Sequence, residues 1–209
     1  MPQPPDDPEP DPSGSLQAAI ATCRLCAGRF AATASGHAPR PVAWFDPRAR
    51  LLIAGQAPGT RVHLSGQPFT DVSGDRLRGW LGLDAAAFYD RTRVAIVPMA
   101  FCYPGRNAGG GDLPPPPLCA ATWRAQVLAT LPKLRMTVLL GGAAIRWHLG
   151  QRAVDPAVRG WQDHAPRIWP LPHPSWRTTG WQVANPWFAR DVLPALRAAV
   201  AKVMDDDPA

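Results

Sequence analysis

The sequence predicts an α/β fold, a three-layer α/β/α sandwich around a mainly parallel sheet of about four strands. Three observations predict it. Four short apolar runs, at 51–54 (LLIA), 94–97 (VAIV), 137–140 (TVLL) and 168–171 (IWPL), have strand length and little polar alternation, as strands covered on both faces do. Helix-compatible stretches lie between them, the alternation from which parallel sheets are built. Motifs rich in Gly, Pro, His and Cys follow the first, second and fourth runs directly. In such a sheet the ligand crevice opens beyond the carboxyl ends of the strands, so that is where reactive groups belong.

Each element has its own signal. Residues 1–15 (MPQPPDDPEPDPSGS) mix Pro, acids and small residues without an apolar period, so they cannot repay the entropy of ordering and are predicted to be a disordered arm. The first run stops at Gly55, the second at Pro98 and the third at Gly141. Helices are predicted near 74–81, 120–131 and 143–149. Pro186 sits in the first turn of a last helix reaching about Ala201, with Asn185 as its N-cap. The segment 109–117 (GGGDLPPPP) reads as a stiff, irregular loop. With 209 residues, 46% of them apolar, the chain is long enough for one core and too short for two ordinary domains. The expected layout is an arm over 1–15, one domain over 16–202 and an acidic tail over 203–209.

No basic segment followed by an apolar stretch opens the chain, and no apolar run approaches the ~18 residues of a membrane span. A soluble, cytoplasmic, monomeric protein is the expectation. Acids are concentrated at the two ends, so residues 16–202 hold all 22 Lys/Arg against nine Asp, a net +13 where the whole chain carries +6. Twenty of the cations are Arg, whose planar fork suits phosphate. That surplus is what a polyanion partner such as nucleic acid requires, and it is also compatible with solubility alone.

The four cysteines are Cys23 and Cys26, in a C-x2-C pair, then Cys102 and Cys119. Four thiols with this pairing point to metal ligation more than to disulfides, and both zinc and a [4Fe–4S] cluster accept four thiolates. Buried free thiols or a redox C-x2-C are the alternatives. A metal clip would tie the N-terminal segment to the Pro-rich loop after the second strand.

The motifs Gly55-Gln-Ala-Pro-Gly59, Gly66-Gln-Pro-Phe69, Cys102, Cys119 and His173-Pro-Ser175 follow one another in order. With the C-x2-C pair, this ordered set resembles the iron–sulfur class of bacterial and archaeal uracil-DNA glycosylases over roughly residues 20–200. That class reads C-x2-C, GE[AG]PG, G-x-PFVG-x-AG, KCRPP, a further Cys and HP[AS]. The resemblance implies an enzyme that flips uracil or a related deaminated base out of DNA and hydrolyses its N-glycosidic bond. It also implies a [4Fe–4S] cluster on Cys23, Cys26, Cys102 and Cys119.

Such chemistry needs a donor at the departing base, a pocket for the extruded base and a placed water. By resemblance His173 is the donor to the developing uracilate and Phe69 the aromatic that stacks on the base. Ala57 and Gly59, in the same turn as Gly55 and Pro58, are expected at the base, the glycines giving a tight turn with backbone close to ligand. By the same resemblance Ser175, Trp176 and Arg177 lie on the loop that enters the duplex, where an aromatic wedge beside an Arg suits filling the gap and holding phosphate.

The chain departs from the pattern at several places. Gln56 stands where the class has Glu, and it can orient water but not accept a proton at neutral pH. Asp71 or His63 is left to orient the water. Asp75 reads as an early-helix acid favoured by the helix dipole. Pro98 stands where the class has an Asn that reads uracil, which opens the base range. Two other readings stay in play: a catalytically silent DNA-damage-binding module of the same fold, and a zinc-clipped α/β hydrolase unrelated to DNA. The H-x-E…P-C-x-x-C arrangement of a zinc deaminase is absent.

Overall fold

The structure is a computed structural model that describes residues 12–205. Its centre is a four-stranded sheet of β1 (Leu51–Ala54), β2 (Val94–Ile96), β3 (Met136–Leu140) and β4 (Ile168–Leu171), in the spatial order β2-β1-β3-β4. Every pair is parallel, with Leu51 opposite Val94 and Met136, and Thr137 opposite Ile168. The predicted fold class is therefore the observed one, and all four predicted runs are strands to within a residue.

Strand residues alternate between the two faces, and this alternation builds the layers. Leu51, Ile53, Val94, Ile96, Met136, Val138, Leu140, Trp169 and Leu171 point into one cluster. Leu52, Ala95 and Val97 point into a second on the opposite face, and Ala54 and Leu139 into a third. The first cluster is closed by α4 (Val72–Leu81), through Leu77, Trp80 and Leu81, and by α10 (Leu193–Asp205), through Leu196, Val200 and Met204. The second is closed by α1 (Pro12–Ala21) and α6 (Pro117–Ala129), and the third by α7 (Gly142–Leu149) and α8 (Val154–Arg159). Each fully buried Leu, Ile or Phe contributes roughly 1.5–3 kcal/mol, so the sheet faces dominate stability.

Short helices the sequence reading missed are α2 (Ala27–Ala31), α3 (Thr60–Ser65), α5 (Ala85–Tyr89), α8 (Val154–Arg159) and α9 (Thr179–Ala184). Two boundaries also move. Helix α1 starts inside the stretch read as an arm, because Leu16 and Ile20 bury against Val127 and Leu131, and Gln17 Nε2 donates to the Phe45 carbonyl at 3.0 Å. The rest of the predicted arm, 1–11, and the end of the predicted tail, 206–209, lie outside the described residues, while 203–205 belong to α10. The last helical stretch does follow Asn185, passing through a π-helical turn at Phe188–Val192 before α10. Asn185 is not a side-chain cap: its Oδ1 accepts from Arg159 Nη2 at 2.6 Å and Trp187 Nε1 at 3.0 Å.

Among the described residues one charged group sits in the core. Arg124 of α6 is 1% exposed and donates to the Val97 carbonyl at 3.0 Å and to His148 Nε2 of α7. Burial pulls Arg124 down to about 10, and burial together with that guanidinium pulls His148 down to about 3. Among the described residues no helix is long and apolar enough to cross a membrane.

Candidate active site at the carboxyl ends of the strands

The chain leaves β1 for β2 on one side and returns to β3 on the other. This reversal places the crevice of an open parallel sheet at the carboxyl ends of β1 and β3. The segment after β2 zips onto the loop after β1, with Met99 N donating to Gly55 O at 2.9 Å and Ala100 N to Gln56 O at 3.1 Å. Those bonds hold Gln56 and Ala57, both half-buried, at the rim.

Neither Gly55 nor Gly59 has a positive φ, which corrects the expectation of a turn that needs glycine. Gly59 is extended (φ −85, ψ 178). A Cβ there would meet nothing within 4 Å, and one at Gly55 would rest 3.8 Å from the Phe69 ring. The glycines keep the rim bare of side chains; the turn itself does not demand them.

Phe69 is the only non-glycine with a positive φ among the described residues, at 55°. A left-handed phenylalanine costs on the order of 1–3 kcal/mol and persists only where neighbours hold it. Here the Phe69 carbonyl accepts from Tyr89 Oη at 2.9 Å and more distantly from Arg78 Nη1 at 3.4 Å. Gly74 passes so close that a Cβ there would lie 1.8 Å from the same oxygen. The ring meets Phe88 edge-on at 6.0 Å.

Asp71 caps α4, its side chain accepting from Gly74 N at 3.2 Å, so part of this candidate carboxylate's capacity goes to the helix. Asp75 pairs with Arg78 one turn along, as its early-helix reading requires.

His173 lies two residues past β4, packed beside Gly141, which ends β3 with φ +78. A Cβ at Gly141 would touch the His173 Cβ at 3.5 Å. Ser175 N donates to His173 Nδ1 at 3.2 Å. A backbone N–H can only donate, so Nδ1 accepts and the proton of the neutral ring sits on Nε2. Burial holds the imidazole below its usual range; Asp71 opposes that shift and Arg177 adds to it. The result at neutral pH is an uncharged ring with one N–H donor, beside one carboxylate. Such a group can hydrogen-bond an anion without giving up its proton.

Beyond Ser175 the loop forms a 3-10 turn at Trp176–Thr178. Trp176 is 75% exposed, which excludes a packing role, and the Arg177 guanidinium lies 5.7 Å from its ring centroid. The structure thus brings Phe69, Asp71, His173 and the Ser175–Arg177 loop together. His63 of α3 goes elsewhere: its ring meets His37 edge-on at 5.0 Å and Tyr103 at 5.8 Å, and its Nδ1 is buried without a hydrogen-bond partner. Burial, His37 and Arg40 all lower its basicity. Of the two candidates for orienting water, Asp71 is the one electrostatically coupled to His173.

Sequence reasoning missed Gly74, Tyr89 and Arg76. Arg76 Nη1 donates to Ser175 O at 2.7 Å and Pro174 O at 3.3 Å. None of the three carried a local signal of its own: the capping signal at the start of α4 belongs to Asp71, which bonds the backbone N–H of Gly74.

The four cysteines converge on one apolar recess, with Ile20, Phe30, Pro116 and Trp123 in its wall. Cys119, in the first turn of α6, accepts from Phe101 N at 3.4 Å. Burial pushes the Cys102 thiol up to about 12 and the Cys119 thiol up to about 11, and the neighbouring thiols push the same way. Among the described residues no three of His, Cys, Asp or Glu are placed to hold a metal ion. The donor chemistry, four cysteines lining one apolar recess, is of the kind a four-thiolate group takes.

The profile of the uracil DNA glycosylase superfamily matches residues 42–197, and the chain belongs to that superfamily. The match includes every strand-end motif and Cys102 and Cys119, while Cys23 and Cys26 precede it. The chain is also similar to the solution structure of a candidate uracil DNA glycosylase from Methanosarcina acetivorans. The two share 17% identity over 78% of this chain and 95% of the other, with a TM-score of 0.40, too distant to add to the family match.

Proposed function

We propose that the protein removes uracil, or a related deaminated base, from DNA by hydrolysing its N-glycosidic bond. The observation that carries this reading is the neutral His173, with its Nδ1 occupied by Ser175 N and its one ring proton on Nε2. As the C1′–N bond breaks, its electron pair goes to the base, which leaves as an anion, and the sugar gains oxocarbenium character. His173 Nε2–H hydrogen-bonds the departing oxyanion, Phe69 stacks on the extruded base, and a water adds to C1′ and loses its proton to solvent. A dissociative path needs little activation of that water, so a Gln at position 56 and a partly engaged Asp71 suffice to orient it. Trp176 fills the vacated stack and Arg177 holds phosphate.

Cys23, Cys26, Cys102 and Cys119 hold a [4Fe–4S] cluster in this reading. Its contribution is structural: it fixes the Pro-rich loop between the last two ligands. The partner is DNA, and the net +13 of residues 16–202 supplies the salt-sensitive part of the affinity.

The test is incubation with oligonucleotides bearing a single uracil, hypoxanthine or xanthine, followed by alkaline cleavage at abasic sites. Release of at least one of these bases is expected. Tight binding with no release from any of them contradicts the reading and selects a silent damage-binding module.

A further inference from the structure

We infer that Arg76 is a positioning residue that locks the His173 loop onto α4 and thereby keeps the His173 ring in its Nε2–H form. This rests on the role given to His173 above. Arg76 stands on the second turn of α4, half-buried, nearly a hundred residues from its partners. Its guanidinium donates to both carbonyls that follow His173, Ser175 O at 2.7 Å and Pro174 O at 3.3 Å. The amide of the same Ser175 supplies the bond to His173 Nδ1. The two ends of one residue are thus tied in opposite directions, the N–H to the ring and the C=O to α4.

Thr178 Oγ1 adds bonds to Ser175 O at 2.9 Å and His173 O at 2.8 Å, but these come from within the loop and fix nothing to the rest of the protein. Arg76 therefore reaches across from the element whose N-cap is Asp71 and whose N-terminal approach carries Phe69. It makes one rigid body of the base-stacking and anion-stabilising halves of the site. Both bonds leave one nitrogen, Nη1, whose N–H groups are held in the guanidinium plane, whereas an ammonium on a flexible stem has no such fixed orientation.

The consequence is a division between chemistry and binding. Freeing the loop lets Ser175 N leave Nδ1, the ring samples both tautomers, and its donor no longer stays where the anion forms. Misplacement of this kind costs about 10–10²-fold in rate. Capture of undamaged DNA depends on surface cations and should not change.

The experiment compares wild type, Arg76→Gln and Arg76→Lys. Histidine side-chain ¹⁵N spectra are recorded at neutral pH, with the His173 signals among the five histidines identified by their loss in His173→Gln. Single-turnover base release is measured on the same preparations. Wild type should show one fixed tautomer, protonated on Nε2, and Arg76→Gln an averaged ring with release slowed by about 10–10²-fold. Arg76→Lys should recover part of both. If Arg76→Gln fails to fold, Arg76→Lys decides alone, a partly averaged ring being the expected result. A fixed Nε2–H ring in whichever substituted protein folds overturns the inference, whether or not the rate has fallen. Because the spectra need no substrate, they judge Arg76 even if no protein releases a base, a result that would count against the proposed function alone.

Discussion

The strand-end site and the cysteine recess are both assembled from segments far apart in sequence, but they are held by different means. At the strand ends the protein's own hydrogen bonds settle the geometry: Tyr89 on Phe69 O, Gly74 on the Asp71 side chain, Ser175 on His173, and Arg76 on the loop beyond. In the recess the four thiols are half-buried, and what surrounds them is apolar. A buried thiol pushed up to about 11 or 12 stays protonated and makes only weak hydrogen bonds, so it orders little by itself. The first region is preorganised by the fold. In the proposed reading the second is completed by the metal group it holds, because a metal displaces the protons and converts four weak groups into four covalent anchors.

Substitutions that exchange the two kinds of support separate them. The largest expected effect is in the recess. Cys102→Ser should abolish cluster loading and leave most of the protein insoluble or partly unfolded, whereas the wild-type protein should be brown with about four irons per chain by metal analysis. A colourless, well-folded wild type with one zinc would keep the comparison but replace the cluster.

Next in size is Gly74→Ala at the strand ends. Its new methyl must displace the Phe69 carbonyl from a position 1.8 Å away, so a stability loss on the order of 3 kcal/mol is expected by chemical denaturation. Base release should be impaired in the folded fraction, with metal content unchanged. A loss of iron in Gly74→Ala would show that the regions are coupled after all.

The smallest expected effect concerns a part of the core outside both regions. His148 is neutral when folded, with its pKa lowered to about 3 from an unfolded value near 6.5. A lowered folded pKa means that protons favour the unfolded chain. The associated stability is fully present above about 6.5 and is lost progressively as pH falls toward about 3. His148→Gln should flatten this part of the acid dependence of the melting temperature. An unchanged slope would show that His148 takes up its proton without opening the α6–α7 contact.

The sheet was legible because each strand is buried on both faces. Nothing in an apolar run such as LLIA or TVLL competes with that reading, and the order of motifs after the strands follows from the parallel topology. The short helices were hidden because α3 and α9 bury no residue, so they leave no apolar period to read. The first turn of α4 was also missed, although Asp71 is a plain N-cap, because a carboxylate next to a pocket motif draws a catalytic reading first. His173 and Phe69 could be named from the motif set. What positions them could not, since Arg76 and Tyr89 act through carbonyls 99 and 20 residues away, and a backbone acceptor leaves no mark on sequence. His63 shows the converse: its place in the motif suggested the water site, while its ring packs with His37 and Tyr103.

The central claim is that departure of the anionic base, stabilised by neutral His173, is the principal barrier. It is tested most directly by single-turnover uracil release for wild type, His173→Ala and Asp71→Asn on one oligonucleotide, with binding to undamaged DNA recorded alongside. Removing a well-placed donor to a developing anion costs about 10²–10³-fold, so His173→Ala should fall by that factor. Asp71→Asn, which keeps a capping oxygen for α4, should lose less, and all three proteins should bind undamaged DNA alike. Near wild-type release by His173→Ala together with abolished release by Asp71→Asn would contradict the account and transfer the principal role to Asp71.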